Sequence, residues 1–127
     1  MRLFDSNIII YSSKPEFASL NLSLRITADD AFLLAISAVE VLGFSDLTDT
    51  DRQFHENQFA TANGLPLDDV VIKRTIELRR IKRRMSLGDA LIAATALEFE
   101  HILVTNNVAD FAGIANLRIE NPLAATP

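Results

Sequence analysis

Four acidic side chains stand out by the company they keep: Asp5, Glu40, Asp89 and Asp110. Asp5 follows Leu3-Phe4 and precedes Ser6-Asn7. Glu40 sits in Ile36-Ser37-Ala38-Val39-Glu40-Val41-Leu42, where nearly every neighbour favours burial. A carboxylate buried without a partner is costly or is driven to protonate, so Glu40 needs a basic partner, a water-filled cleft or a cation. Helical geometry could also turn it outward. Asp89 closes Ser86-Leu87-Gly88-Asp89, the spacing of a capping box, in which the acid serves the helix N-terminus. The same placement fixes a carboxylate rigidly beside a cleft. Asp110 could be a loop acid or the cap of a short turn, and Thr105, Asn106 and Asn107 could be ordinary turn formers.

Together these residues point to one chemistry. Oxygen-only ligands suit Mg²⁺ or Mn²⁺, hard ions that keep several waters. The chain has no Cys to compete, and neither His55 nor His101 has the spacing of a metal pair. Two carboxylates about 4 Å apart repel by about 4 kcal/mol at an effective dielectric near 20. A set of four destabilises the fold unless a divalent ion or raised pKa values relieve it.

The elements that must position these acids alternate. Arg2-Leu3-Phe4 is a short strand, and Asn7–Tyr11 either continues it or turns into a helix. Pro15 suits the first turn of a helix over roughly Glu16–Arg25. Ala31–Ile36 reads as a buried strand, with Ser37 as N-cap of a helix carrying Ala38–Phe44. Thr48-Asp49-Thr50-Asp51 opens a helix to about Ala62, stopped by Asn63-Gly64. Leu65-Pro66-Leu67 is brief and extended, and Asp68 or Asp69 caps a long helix whose Val71, Ile72, Ile76 and Leu78 recur at helical spacing. Ser86–Asp89 opens a further helix, Ala90–Phe99 giving it a small-residue, buried character. His101–Thr105 is a strand, a turn with Asp110-Phe111 follows, and Asn116–Ile119 is a last short strand. Strands alternating with helices predict an α/β three-layer sandwich around a mostly parallel sheet. Ligands in such sheets bind outside the carboxyl ends of the strands, which is where Asp5, Thr105, Asn107 and Asp110 fall.

No repeat or Pro/Gly/Ser-rich linker divides the sequence, so residues 1–127 are expected to form one domain. The absence of Cys fits a reducing compartment, and the apolar stretches fall far short of the roughly 20 residues that span a bilayer. With no secretory pattern at the N-terminus, the expectation is a soluble cytoplasmic protein without a membrane partner. The net charge of −5 argues against nucleic acid, but its distribution softens the objection. Lys73, Arg74, Arg79, Arg80, Lys82, Arg83 and Arg84 are seven of the twelve basic residues and share one short segment. A confined basic patch can bind phosphates on an acidic protein, because screening limits each charge to about 8–10 Å. A solvated helix face with charges suited to the helix C-terminus is the plainer alternative.

Four segments carry a family resemblance: Leu3–Ile10, Ile36–Phe44, Leu87–Ala96 and Leu103–Phe111. In this order and at these separations they resemble PIN-domain proteins, in particular the VapC-type toxins of toxin–antitoxin pairs. The family's four acids fall on Asp5, Glu40, Asp89 and Asp110, and its polar residues before the last acid on Thr105 and Asn107. The resemblance implies a parallel sheet sandwiched by helices, Mg²⁺- or Mn²⁺-dependent endonucleolytic cleavage of RNA, a cognate antitoxin that blocks the site, and a homodimer. On that basis Asp5 and Asp89 are expected to be the main ligands, with Asp110 and Glu40 completing the site directly or through water. Glu40 is expected to position or deprotonate the attacking water, Ser6, Thr105 and Asn107 to hold the carboxylates, and the Lys73–Arg84 region to help hold RNA. One rival is a PIN-like module that binds RNA or protein without cutting. A phosphoacceptor signalling domain is another, but it needs a second acid beside Asp5 and a Lys near the last strand, and no Lys follows residue 82. An inert structural domain would leave Glu40 without a reason.

Overall fold

The structure is a computed structural model that describes residues 1–124; the last residues of the 1–127 span lie outside the described part. Five short strands, β1 (Arg2–Phe4), β2 (Ala31–Leu34), β3 (Asn63–Leu65), β4 (Ile102–Val104) and β5 (Ile119–Glu120), form one sheet in the order β3-β2-β1-β4-β5. Every pairing is parallel, with Leu3 opposite both Phe32 and Leu103, and Phe4 opposite Val104. An all-parallel sheet must be covered on both faces, and the side chains alternate accordingly. Leu3, Leu34 and Leu103 point to one core with α6 (Leu87–Glu98), backed by Leu78 of α5 (Asp69–Ile81). Phe4, Leu33 and Val104 point to the other, against α1 (Ser6–Tyr11) and α2 (Leu22–Ile26), with Val41 of α3 (Ala35–Leu42) and Phe59 of α4 (Asp49–Thr61). The result is the expected three-layer α/β sandwich.

Helix starts follow side-chain chemistry where a cap exists. Thr48, Asp68 and Ser86 each accept a backbone N–H from the third residue onward, opening α4, α5 and α6. Ser37 does not cap α3: the helix begins at Ala35 directly from β2, and Ser37 lies inside it with a buried, unpartnered hydroxyl. The helix expected over Glu16–Arg25 is broken into a 3-10 turn (Pro15–Leu20) and α2, because Asn21 between them takes a left-handed conformation at φ 51°. The last strand lies later than its apolar residues suggested, at Ile119–Glu120, since Asn116 is likewise left-handed at φ 68°. Asn63-Gly64 ends α4 but also starts edge strand β3.

The connections from β1 and β4 leave in opposite directions, to β2 and to β5. Neighbouring strands whose connections diverge leave a crevice at their carboxyl ends. Asp5 directly follows β1 and Thr105 directly follows β4.

Candidate functional site

Asp5 is the N-cap of α1 and is only 7% exposed. Its Oδ1 accepts the Ser6 N–H at 2.8 Å and its Oδ2 accepts the Thr105 hydroxyl at 2.7 Å. Thr105 is fully buried, and its Oγ1 in turn accepts the Asn107 backbone N–H at 3.0 Å. Asn107 therefore acts through its main chain on Thr105, and among the described residues its side chain makes no hydrogen bond to a carboxylate. Ser6 serves two acids at once, its N–H on Asp5 and its hydroxyl on Glu40 Oε1 at 2.8 Å.

Glu40 takes the outward course of the two that its sequence left open. Its carboxylate is not buried among apolar neighbours: helix α3 turns it outward, as an exposed residue, across to α6. A Cβ on Gly88 would come within 2.8 Å of Glu40 Oε2, so the carboxylate occupies the space a side chain at position 88 would take. Gly88 escaped the sequence reading because its role depends on the approach of two helices distant in the chain. Asp89 stands in the first turn of α6, half-buried, while Asp110 is exposed on a 3-10 turn (Val108–Phe111) anchored by buried Phe111.

Asp5 and Asp89 sense the charges around them. Burial, reinforced by the charges of Glu40 and Asp110, raises the Asp5 pKa above the ordinary carboxylate value, against the opposing hydrogen bonds from Thr105 and Ser6. Burial also raises Asp89, followed by the charge of Asp5, and then by Asp110 and Glu40, with Ser86 working the other way. Among the described residues, however, no three Asp, Glu, His or Cys side chains are gathered tightly enough to hold a metal ion by themselves. The group is electrostatically joined and geometrically open. Mg²⁺ is compatible with such a group, because it usually takes one or two carboxylates and keeps several waters. The donors are all hard oxygens, and each Asp5 oxygen retains a lone pair beyond its hydrogen bond. The donor set fits that class of ion.

The fully parallel sheet with acids at its carboxyl edge agrees with what the sequence matches: the PIN domain model covers residues 2–117. The chain belongs to the PIN domain family. Among solved structures it is similar to a chain of a toxin–antitoxin complex from Klebsiella pneumoniae, at 27% identity and a TM-score of 0.74, covering 96% of this chain and 98% of that one. FitAcB from Neisseria gonorrhoeae gives 23% identity and a TM-score of 0.74 over 96% and 98% of the two chains. VapBC2 from Rickettsia felis, bound to a DNA fragment from its promoter, gives 22% and 0.77 over 94% and 97%. No curated protein matches the sequence. No helix among the described residues is long and apolar enough to cross a membrane.

Proposed function

We propose that this chain is the toxin of a VapBC-type toxin–antitoxin pair, acting as a Mg²⁺- or Mn²⁺-dependent endoribonuclease. The observation that carries the reading is the Asp5 carboxylate, held by Ser6 and Thr105 at the carboxyl end of β1 and raised in pKa by burial and by Glu40 and Asp110, with Asp89 raised by burial and by Asp5. Acids with pKa values shifted by burial and by neighbouring charges are candidates for a functional site. Asp5 and Asp89 would hold the ion, with Asp110 and Glu40 reaching it directly or through water. When bound, a divalent ion supplies an acidified water and charge neutralisation at the phosphate.

The remaining chemistry belongs to the chain. Thr105 and Ser6 fix the Asp5 carboxylate between two donors, so it cannot rotate away as negative charge accumulates beside it. Ser6 also aims Glu40, which takes the proton of the attacking water as its oxygen bonds to phosphorus and the bond to the leaving oxygen breaks. The likeness to toxin–antitoxin complexes supports an antitoxin as the protein partner. The family resemblance adds a second copy of the chain as a dimer partner and a cytoplasmic setting.

The test is cleavage of structured RNA with Mn²⁺ by the wild type and by Asp5→Asn. Loss of at least about a hundredfold in the variant is expected, the scale on which a misplaced catalytic constellation fails. Equal cleavage by both proteins removes the assignment. A module that binds RNA or protein without cutting is the second reading, favoured by the absence of three tightly gathered acids. It predicts RNA binding that ignores Mn²⁺ altogether.

A further inference from the structure

The basic run Lys73–Arg84 is divided by the fold into groups with different work. Arg74 Nε donates to Glu98 at 3.1 Å, which binds α5 to α6. Lys82 Nζ donates to the Ala112 carbonyl at 3.2 Å, tying the α5–α6 turn to the segment just after Asp110. Arg79 and Arg80 are exposed on α5. Arg83 and Arg84 are also exposed, and neither joins an ion pair among the described residues. These two line an open cleft of about 720 Å³, and the same cleft is lined by Asp89 and Asp110.

Two guanidinium groups without ion pairs among the described residues, in a cleft shared with Asp89 and Asp110, need a reason. If their purpose were to neutralise the acids, they would be drawn into ion pairs with them, and they are not. Guanidinium groups present planar forks that match phosphate oxygens, and their faces stack on bases. Ile81, 77% exposed at the cleft, adds an apolar surface for a ribose or base. On a chain of net charge −5, this is a local positive lip on a repelling body. It suits a polyanion whose phosphates rest on the lip with a neighbouring linkage near Asp89 and Asp110.

We propose that Arg83 and Arg84, on the α5–α6 turn, form a phosphate-binding lip that holds the backbone of single-stranded RNA beside the acids. The identity of the polymer rests on the ribonuclease reading; the lip itself rests on the cleft. Lys82 is assigned to positioning the turn and not to the strand.

The probe is a labelled single-stranded oligoribonucleotide of about 12 nucleotides, within the site size of known single-strand channels. Binding to the full chain carrying Asp5→Asn is followed by anisotropy over a range of KCl, with EDTA present. Arg83→Ala/Arg84→Ala in that background is expected to weaken binding about tenfold at low salt. It should also flatten the salt slope by about 1.4, about 0.7 for each lost phosphate contact on a single strand. Arg83→Lys/Arg84→Lys should recover most of the slope. Arg79→Ala/Arg80→Ala, outside the cleft, should keep the parent slope. An unchanged slope in the Arg83/Arg84 double alanine variant overturns the lip, as does an equal loss at Arg79/Arg80, which would mean general attraction to a basic surface. Equal affinity for an acidic peptide of matched charge would move the lip to a protein partner and overturn the RNA assignment. The two readings separate cleanly: cleavage by wild type with an unaltered slope sinks the lip alone, and an Arg-dependent slope without cleavage sinks the nuclease alone.

Discussion

Gly88 and Glu40 illustrate how a missing side chain shapes the site. Gly88→Ala puts a Cβ within 2.8 Å of Glu40 Oε2, the movable end of a flexible side chain. Alanine is favoured over glycine in a helix by up to about 1 kcal/mol, so the variant should melt no lower than wild type. Its RNA cleavage should nonetheless fall at least about tenfold, since small displacements of a catalytic group are costly. Undiminished cleavage at unchanged stability would mean that Glu40 does not work from where it stands. The Asp5 carboxylate carries a pH signature. Its pKa is raised in the folded state by burial and by Glu40 and Asp110, so the folded protein holds its proton more tightly than the unfolded chain. The associated stability is fully present below the unfolded pKa and is lost as pH rises through the folded one. In EDTA, Asp5→Asn should therefore melt higher than wild type at neutral pH, the gap closing as pH falls through the range just above ordinary Asp values. A gap that widens on acidification contradicts the shift. The acids themselves were legible, because carboxylates among apolar neighbours at the ends of elements demand a reason. The outward turn of Glu40 was one of two courses left open by helical geometry, and the space left by Gly88 was not legible, since it depends on the approach of α3 to α6.

Among the elements, the legible boundaries are those written in local chemistry. Ser86 accepts the Asp89 N–H at 3.1 Å as the cap of α6, and Ser86→Ala should cost about 1 kcal/mol in urea denaturation. Ser37 offers the contrast. With its hydroxyl buried and unpartnered, Ser37→Ala should be neutral or stabilising by up to about 1 kcal/mol. A loss comparable to that at Ser86 would mean that the Ser37 hydroxyl is hydrogen-bonded after all. Left-handed Asn21 and Asn116 break expected elements for a reason no apolar pattern carries, since Asn also sits comfortably in ordinary turns and helix ends. The 3-10 turn bearing Asp110 is held through Phe111, 1% exposed in the core on the α6 face. Phe111→Ala should cost about 3–5 kcal/mol and loosen Asp110 with it.

At the scale of the whole molecule, strand order turns a set of scattered acids into neighbours. The alternation of strands and helices was enough to anticipate a sandwich, and the position of Asp5 and Thr105 after their strands was enough to anticipate a rim. The order β3-β2-β1-β4-β5 was not readable, because parallel strands joined by crossover helices leave no local mark of which edge they join. Away from the rim, Glu120 binds Arg2 and Arg25. Burial would raise its pKa, but the hydrogen bonds and charges of the two arginines outweigh that and lower it, so this contribution is lost on acidification, opposite in sign to that of Asp5. The central claim is that carboxylates on four separate elements act as one divalent-cation site. Titration of the protein with Mn²⁺, followed by the loss of free-ion signal in electron paramagnetic resonance, addresses it without any substrate. Wild type should bind the ion at neutral pH, whereas Asp5→Asn/Asp89→Asn should bind at least about tenfold more weakly. Indistinguishable titrations of the two proteins would contradict the account.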